Sequence, residues 1–138
     1  MPVKHDQRDQ YMLGLCGESS AAAWYEDLGY DIVQLRYRAR DGEVDLIARS
    51  PRGEIVFVEV KTRRSTSFGA AEAVTPAKLR RIRAAAAQWL AEKSSGYVSV
   101  RFDVIEVIFD GINVSCRMYQ GVDAVSYTHL TLPTNREV

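Results

Sequence analysis

Residues 54–61 read Glu-Ile-Val-Phe-Val-Glu-Val-Lys, and this octapeptide restricts the fold more than any other stretch. Its β-branched and aromatic residues favour extended chain, in which successive side chains point to opposite faces. One face carries Ile55, Phe57, Glu59 and Lys61; the other carries Val56, Val58 and Val60. A strand that is apolar on both faces needs cover on both, so it belongs inside a sheet with a layer on each side. The acid and the lysine come only at its end. Ionised groups at the end of a buried strand need partners or a metal to offset their desolvation.

The flanking sequence supplies the neighbours. Asp31–Arg38 and Glu43–Arg49 read as strands, joined by the turn residues Asp41-Gly42, and Ser50-Pro51-Arg52-Gly53 leads into the third strand. Two short turns between three strands predict an antiparallel meander. Upstream, Leu13, Ala21, Trp24, Tyr25 and Leu28 follow helical steps between Gln10 and Leu28, and Gly29 supplies a stop. Downstream, Thr75 as N-cap and Pro76 at the first helical position open a helix to about Lys93, with Leu79, Ile82, Ala86, Trp89 and Leu90 on one face. Val100–Phe109 predicts a fourth strand and Ile112–Tyr119 a fifth. Helix, three strands, helix, strand predicts a small mixed α/β fold.

A single domain is expected over residues 10–120, with a frayed polar N-terminus at 1–9. Residues 126–138 (SYTHLTLPTNREV) carry no amphipathic period. They read as translated adapter sequence or as a disordered tail, so His129 is no candidate catalyst.

The 138 residues are 46% apolar and 26% charged, the balance of a soluble globular protein. No apolar run approaches the ~18 residues that span a bilayer, and the N-terminus lacks a signal-peptide core, so no membrane association is expected. Cys16 and Cys116 are too few and too far apart for a disulfide scaffold or a thiolate zinc site, which points to the cytoplasm. The formal charge is zero, yet Arg36–Arg83 carries +6 and the remainder −6. A basic middle suits a polyanion partner; a solvated mixed-charge surface accounts for the same counts. Tyr37, set among Arg36, Arg38 and Arg40, is open to the same two readings. Trp24 and Trp89 lie on apolar helix faces and are expected in the core.

The chemistry sits in Gly42-Glu43-Val44-Asp45-Leu46-Ile47-Ala48 and Glu59-Val60-Lys61. Asp45 and Glu59, on adjacent strands, can converge on one Mg²⁺ or Mn²⁺, with the backbone carbonyl of Val60 as a third oxygen. Lys61 shares a face with Glu59 and could orient the attacking water and stabilise charge on a phosphate. Such a set suits metal-assisted phosphodiester hydrolysis. Glu18 lies among Gly14, Leu15, Ala21 and Ala22 on the first helix, where an acid needs a partner or a role, and it could close the site. A buried Glu59–Lys61 or Asp45–Lys61 ion pair without metal explains the same residues structurally. No GxSxG, P-loop or GxGxxG is present, and His5 and His129 are the only histidines, which removes histidine-based triads and zinc sites.

These residues resemble a known family. Gly17-Glu18 with Ala21-Ala22, Leu28-Gly29-Tyr30, Gly42-Glu43-Val44-Asp45-Leu46-Ile47-Ala48, Phe57-Val58-Glu59-Val60-Lys61-Thr62-Arg63, Phe68-Gly69, Glu72-Ala73-Val74, Lys78 and Arg101-Phe102-Asp103-Val104-Ile105 resemble the YraN-like family of the PD-(D/E)xK nuclease superfamily, which is similar to archaeal Holliday-junction resolvases. The resemblance spans about residues 14–120 and implies a restriction-endonuclease-like αβββαβ core. It implies Glu18, Asp45, Glu59 and Lys61 as the catalytic set. The family's usual Asn-Ala-Phe-like ending is absent.

The expected function is therefore a Mg²⁺- or Mn²⁺-dependent endonuclease acting on DNA, including branched DNA. Arg63, Arg64, Lys78 and Arg81 are the expected phosphate contacts, and a two-fold junction would call for a symmetric homodimer. The alternative is a non-catalytic nucleic-acid-binding or scaffold protein that retains the nuclease fold.

Overall fold

The computed structural model describes residues 16–64, 74–93, 98–122 and 134–135. A helix over residues 16–27 (α1) is followed by β1 (Asp31–Arg38), β2 (Glu43–Arg49) and β3 (Ile55–Arg64). Helix α2 (Pro76–Lys93) then crosses to β4 (Val100–Asp110), β5 (Asn113–Tyr119) and the two-residue β6 (Thr134–Asn135). The sheet order is β1-β2-β3-β4-β5-β6. All neighbours pair antiparallel except β3 and β4, which are parallel, so the sheet is mixed. The α/β architecture with two helices is the one the sequence predicts. The expected frayed segment 1–9 and most of 126–138 lie outside the described residues. No helix among the described residues is long and apolar enough to cross a membrane.

Residues 54–61 occupy the middle of the sheet, and Val56, Phe57 and Val58 are fully buried. Two cores sit on its two faces. On one, Phe57 packs edge-on to Trp89 and stacks with Phe102, joined by Leu79, Ile82, Ala85 and Ala86 of α2. On the other, Val56 and Val58 meet Ala21, Trp24 and Tyr25 of α1 together with Ile105, Val107 and Met118. Both tryptophans are therefore core residues.

Two glycines set how the helices meet the sheet. A Cβ on Gly17 would fall 1.9 Å from Thr62 Oγ1, so α1 touches the far half of β3. A Cβ on Gly42 would fall 1.9 Å from the Arg81 carbonyl oxygen, so the β1–β2 turn rests on the backbone of α2. Only glycine permits either approach.

Besides a register shift between Ile32 and Gln34, the β1–β2 ribbon departs from regular alternation at the level of Asp45. Val44 belongs to the α2-side core and Leu46 to the α1-side core, although residues two apart in a flat strand share a face. The registers Leu35↔Leu46 and Tyr37↔Val44 put Arg36 opposite Asp45, and Arg36 has φ +53°, a left-handed conformation. Non-glycine residues held there cost on the order of 1–3 kcal/mol. The consequence corrects both sequence readings of Tyr37: the turn at Arg36 swings it into the α2-side core, where its hydroxyl donates to Glu92 Oε1 at 2.9 Å.

Candidate active site

The β2–β3 ladder runs from Arg49↔Ile55 to Leu46↔Val58 and ends there. β3 continues alone on that side, still paired to β4 as far as Arg64↔Phe109. The two strands thus fork immediately before Asp45 and Glu59. Strands that diverge leave backbone N–H groups without ladder partners. Asp45 supplies one partner, its Oδ2 accepting from the Val60 N–H at 2.8 Å. In extended chain the carbonyl of a residue points to the same side as its N–H, so the Val60 carbonyl also faces the gap.

Glu59 is buried on the α2 face of β3. Its Oε2 lies 3.4 Å from Lys61 Nζ and 2.8 Å from Lys78 Nζ of α2. Glu43, Asp45, Glu59, Val60, Lys61, Lys78, Arg81 and Ile82 line a depression of about 300 Å³. A second depression of about 270 Å³ is walled by Glu18, Arg36, Tyr37, Arg38, Glu43, Val44 and Asp45. Asp45 and Glu43 border both. The sequence puzzle at Glu18 resolves as an ion pair, since Arg36 Nε donates to Glu18 Oε1 at 2.5 Å.

Electrostatics follow the crowding. Burial, reinforced by the charge of Glu59, pushes the Asp45 carboxyl up to about 7, against the opposing bond from Val60. Burial lowers the Lys61 ammonium, and neighbouring Lys78 lowers it further, while Glu59 opposes. Burial pulls the Lys78 ammonium down, but its bond to Glu59 and the charges of Glu59 and Asp45 outweigh that and raise it.

The structure therefore brings Asp45, Glu59, Val60, Lys61, Lys78 and Arg81 around one depression, with Glu18 on the neighbouring one. Two of the expected phosphate contacts separate. Arg64 is exposed at the end of β3, whereas Arg63 turns its guanidinium to Glu106 Oε2 at 3.1 Å and is mostly covered. No group of three or more His, Cys, Asp or Glu side chains among the described residues is placed to hold a metal ion. The fork offers instead two carboxylates and a backbone carbonyl. This all-oxygen set fits a hard divalent ion that keeps several waters.

Sequence reasoning missed Arg36, which no spacing distinguishes from its neighbours, and a network on the α1 face of the sheet. There Asp103, which is 1% exposed, accepts a two-pronged contact from Arg101 at 2.9 Å for each prong, and a third bond from Tyr25 Oη at 2.9 Å. Arg101 also donates to Tyr30 Oη and Glu54 Oε1. A depression of about 430 Å³ adjoins it, lined in part by Tyr30, Glu54 and Arg101, but Arg101 is already committed to these partners. That network ties α1 and the segment after it to β4 and to the β2–β3 turn, and is structural.

Fold and site together define a mixed α/β protein with a carboxylate–lysine site where two central strands part. The model of the family described as "Uncharacterised protein family UPF0102" matches residues 17–107, from the first turn of α1 into β4. A UPF0102 protein of Corynebacterium diphtheriae is 45% identical over 114 residues, which cover 82% of this chain and 92% of the relative. One from Geobacter sulfurreducens is 46% identical over 108 residues, covering 78% and 84%. Another, from Beutenbergia cavernae, is 49% identical over 98 residues, covering 70% and 81%. The chain belongs to the UPF0102 family.

Proposed function

We propose that this UPF0102 protein is a metal-dependent endonuclease that hydrolyses phosphodiester bonds of DNA, branched DNA included. The observation that carries the reading is the Val60 N–H to Asp45 bond at the fork. It ties one carboxylate beside Glu59 and Lys61 at the end of a buried strand, where an uncompensated acid is costly. A fold built for stability alone gains nothing from an Asp45 carboxyl pushed up to about 7 by burial and a like charge. The resemblance of Asp45 and Glu59-Val60-Lys61 to the PD-(D/E)xK pattern supports the same chemistry.

Asp45, Glu59 and the Val60 carbonyl would hold Mg²⁺ or Mn²⁺; when bound, such an ion neutralises phosphate charge and acidifies water. Lys61 orients the attacking water and stabilises the charge that grows on the phosphate. The attacking water gives up a proton to solvent as its oxygen bonds to phosphorus, one ester P–O bond breaks, and the departing oxygen takes a proton back from solvent. Glu18 would close the site from α1, as a further ligand of the ion or through a water. Arg64 and Arg81 contact flanking phosphates.

The two lysines on Glu59 favour a second reading, a buried ion pair with no metal. Incubation of the protein with labelled linear, nicked, forked and four-way DNA plus Mg²⁺ or Mn²⁺ separates the two. Cleavage that Asp45→Asn abolishes supports the nuclease. Intact DNA on all four substrates, with no heat of Mg²⁺ or Mn²⁺ binding in calorimetry, would select the ion pair.

A further inference from the structure

In both depressions that meet at Asp45, a carboxylate is already neutralised by a cation from a neighbouring element. Lys78 of α2 reaches Glu59 at 2.8 Å, and Arg36 of β1 reaches Glu18 at 2.5 Å. The exposures are lopsided in the same sense. The side chains of Glu59 and Glu18 are 8% and 18% exposed, whereas those of Lys78 and Arg36 are 36% and 38% exposed. The acids are rooted in the fold and the cations stand at its rim.

We propose that Lys78 and Arg36 are exchangeable counter-ions, held by Glu59 and Glu18 until a divalent ion engages the acids and then turned to DNA phosphates. The inference rests on the metal-site reading given above. A carboxylate satisfied by a divalent ion attracts an ammonium or guanidinium far less, because its charge is already met. Each cation lies on a flexible stem at the mouth of a depression that also contains Asp45. A phosphate over Asp45 would then be the nearest unsatisfied anion for both. Metal and DNA would thereby bind cooperatively, with Lys78 and Arg36 as the coupling residues. Arg63 marks the contrast: its side chain is 17% exposed and its partner Glu106 3%, so that pair has no rim member to swing outward.

The test is the salt dependence of DNA binding, since each phosphate-bound cation adds ~0.9 to the slope of log K against log salt. Wild type, Lys78→Met and Arg36→Gln are titrated onto a short four-way DNA junction, with and without Ca²⁺, the DNA being verified intact on a gel. Comparing proteins at the same Ca²⁺ concentration cancels the direct effect of the ion on DNA. The expected result is that the three slopes coincide without Ca²⁺, and that each variant falls ~0.9 below wild type with it. Calorimetry should also show tighter Ca²⁺ binding to Lys78→Met, several-fold, because a competing cation has gone. Slopes that differ equally with and without Ca²⁺ would overturn the exchange while leaving the metal site standing. Absence of Ca²⁺, Mg²⁺ and Mn²⁺ binding to wild type would overturn the site reading, and the exchange with it. Thermal unfolding of the variants checks that each is folded.

Discussion

The Val60 amide lies 2.8 Å from Asp45 Oδ2, at the level where β2 has stopped pairing with β3. One bond thus replaces the ladder that the fork removes, and it is made by a side chain rather than by backbone. The same bond holds the aspartate beside Glu59, whose charge helps raise it. Stability and chemistry therefore pull on Asp45 in opposite directions. The bond favours the carboxylate, while burial and the like charge disfavour it.

That opposition separates two substitutions at Asp45. Asp45→Asn keeps a carbonyl oxygen for the Val60 N–H and removes the repulsion, so unfolding in urea at pH 8 without divalent ions should show unchanged or greater stability. Asp45→Ala leaves the amide without its partner, which costs ~1–3 kcal/mol less the repulsion relieved. Both should lose metal binding and cleavage. An Asn variant less stable than the Ala variant would mean that the bond is not what holds the fork.

The pH dependence has a definite sign. Asp45 titrates near 7 when folded, against an ordinary value of 3.8, so between those limits the folded chain binds the extra proton. Stability then falls as pH rises through the window from about 4 to about 7, and levels off above it. The contribution is on the order of a few kcal/mol. Urea unfolding at pH 5 and pH 8 without metal should show this loss in wild type and a clearly smaller loss in Asp45→Asn. Equal losses would assign the dependence to other groups. Metal binding should follow the opposite course and strengthen through pH 7, as the proton on Asp45 ceases to compete.

The two glycines rank the supports of the site. In Gly42→Ala the new methyl meets the Arg81 carbonyl oxygen, a backbone atom that cannot rotate away; in Gly17→Ala it meets Thr62 Oγ1 at 1.9 Å and Thr62 Cβ and Cγ2 at 2.9 Å, so turning the hydroxyl relieves only part of the clash. Overpacking of this kind costs ~1–3 kcal/mol, and Gly42→Ala should fall at the upper end. It should also weaken metal binding, because the turn that leads into Glu43 and Asp45 of β2 would lift from α2. Gly17→Ala should mainly disturb Glu18. Denaturant midpoints and metal calorimetry on both variants check the order.

Strand placement was open to reading because period-two patterning and turn residues are local. Asp31–Arg38 and Glu43–Arg49 begin and end where the sequence puts them. β3 runs on to Arg64, three residues beyond its expected end at Lys61, because its parallel partner β4 continues to pair with it. No residue in β3 encodes that. Asp45, Glu59 and Lys61 stood out as charges on a buried strand and its neighbour. Their partners did not: whether Lys78 or Arg81 meets Glu59 depends on the rotation and height of α2 over the sheet, which periodicity leaves open. The burial of Tyr37 and the pairing of Arg36 are hidden from the pattern for a related reason, since a single left-handed residue reverses the faces on either side of it.

Neighbouring arginines at the end of β3 should behave in opposite ways. Arg63 pairs with Glu106, which is 2% exposed and also lies 4.0 Å from Arg117 Nη1. Glu106 Oε1 has no hydrogen-bond partner among the described residues, so this carboxylate relies heavily on Arg63. Arg63→Ala should therefore destabilise the fold by ~3 kcal/mol, the cost of stranding a buried charge. Arg63→Ala with Glu106→Gln should recover part of that loss, because the charge left behind is gone. Arg64 is exposed. Arg64→Ala should leave the urea midpoint within ~0.5 kcal/mol of wild type, yet flatten the salt dependence of DNA binding by ~0.9. Paired urea and binding titrations on the two single variants decide the matter. A stable Arg63→Ala protein with a flattened slope would show instead that Arg63 leaves Glu106 to bind phosphate, and would return it to the DNA-facing surface beside Arg64.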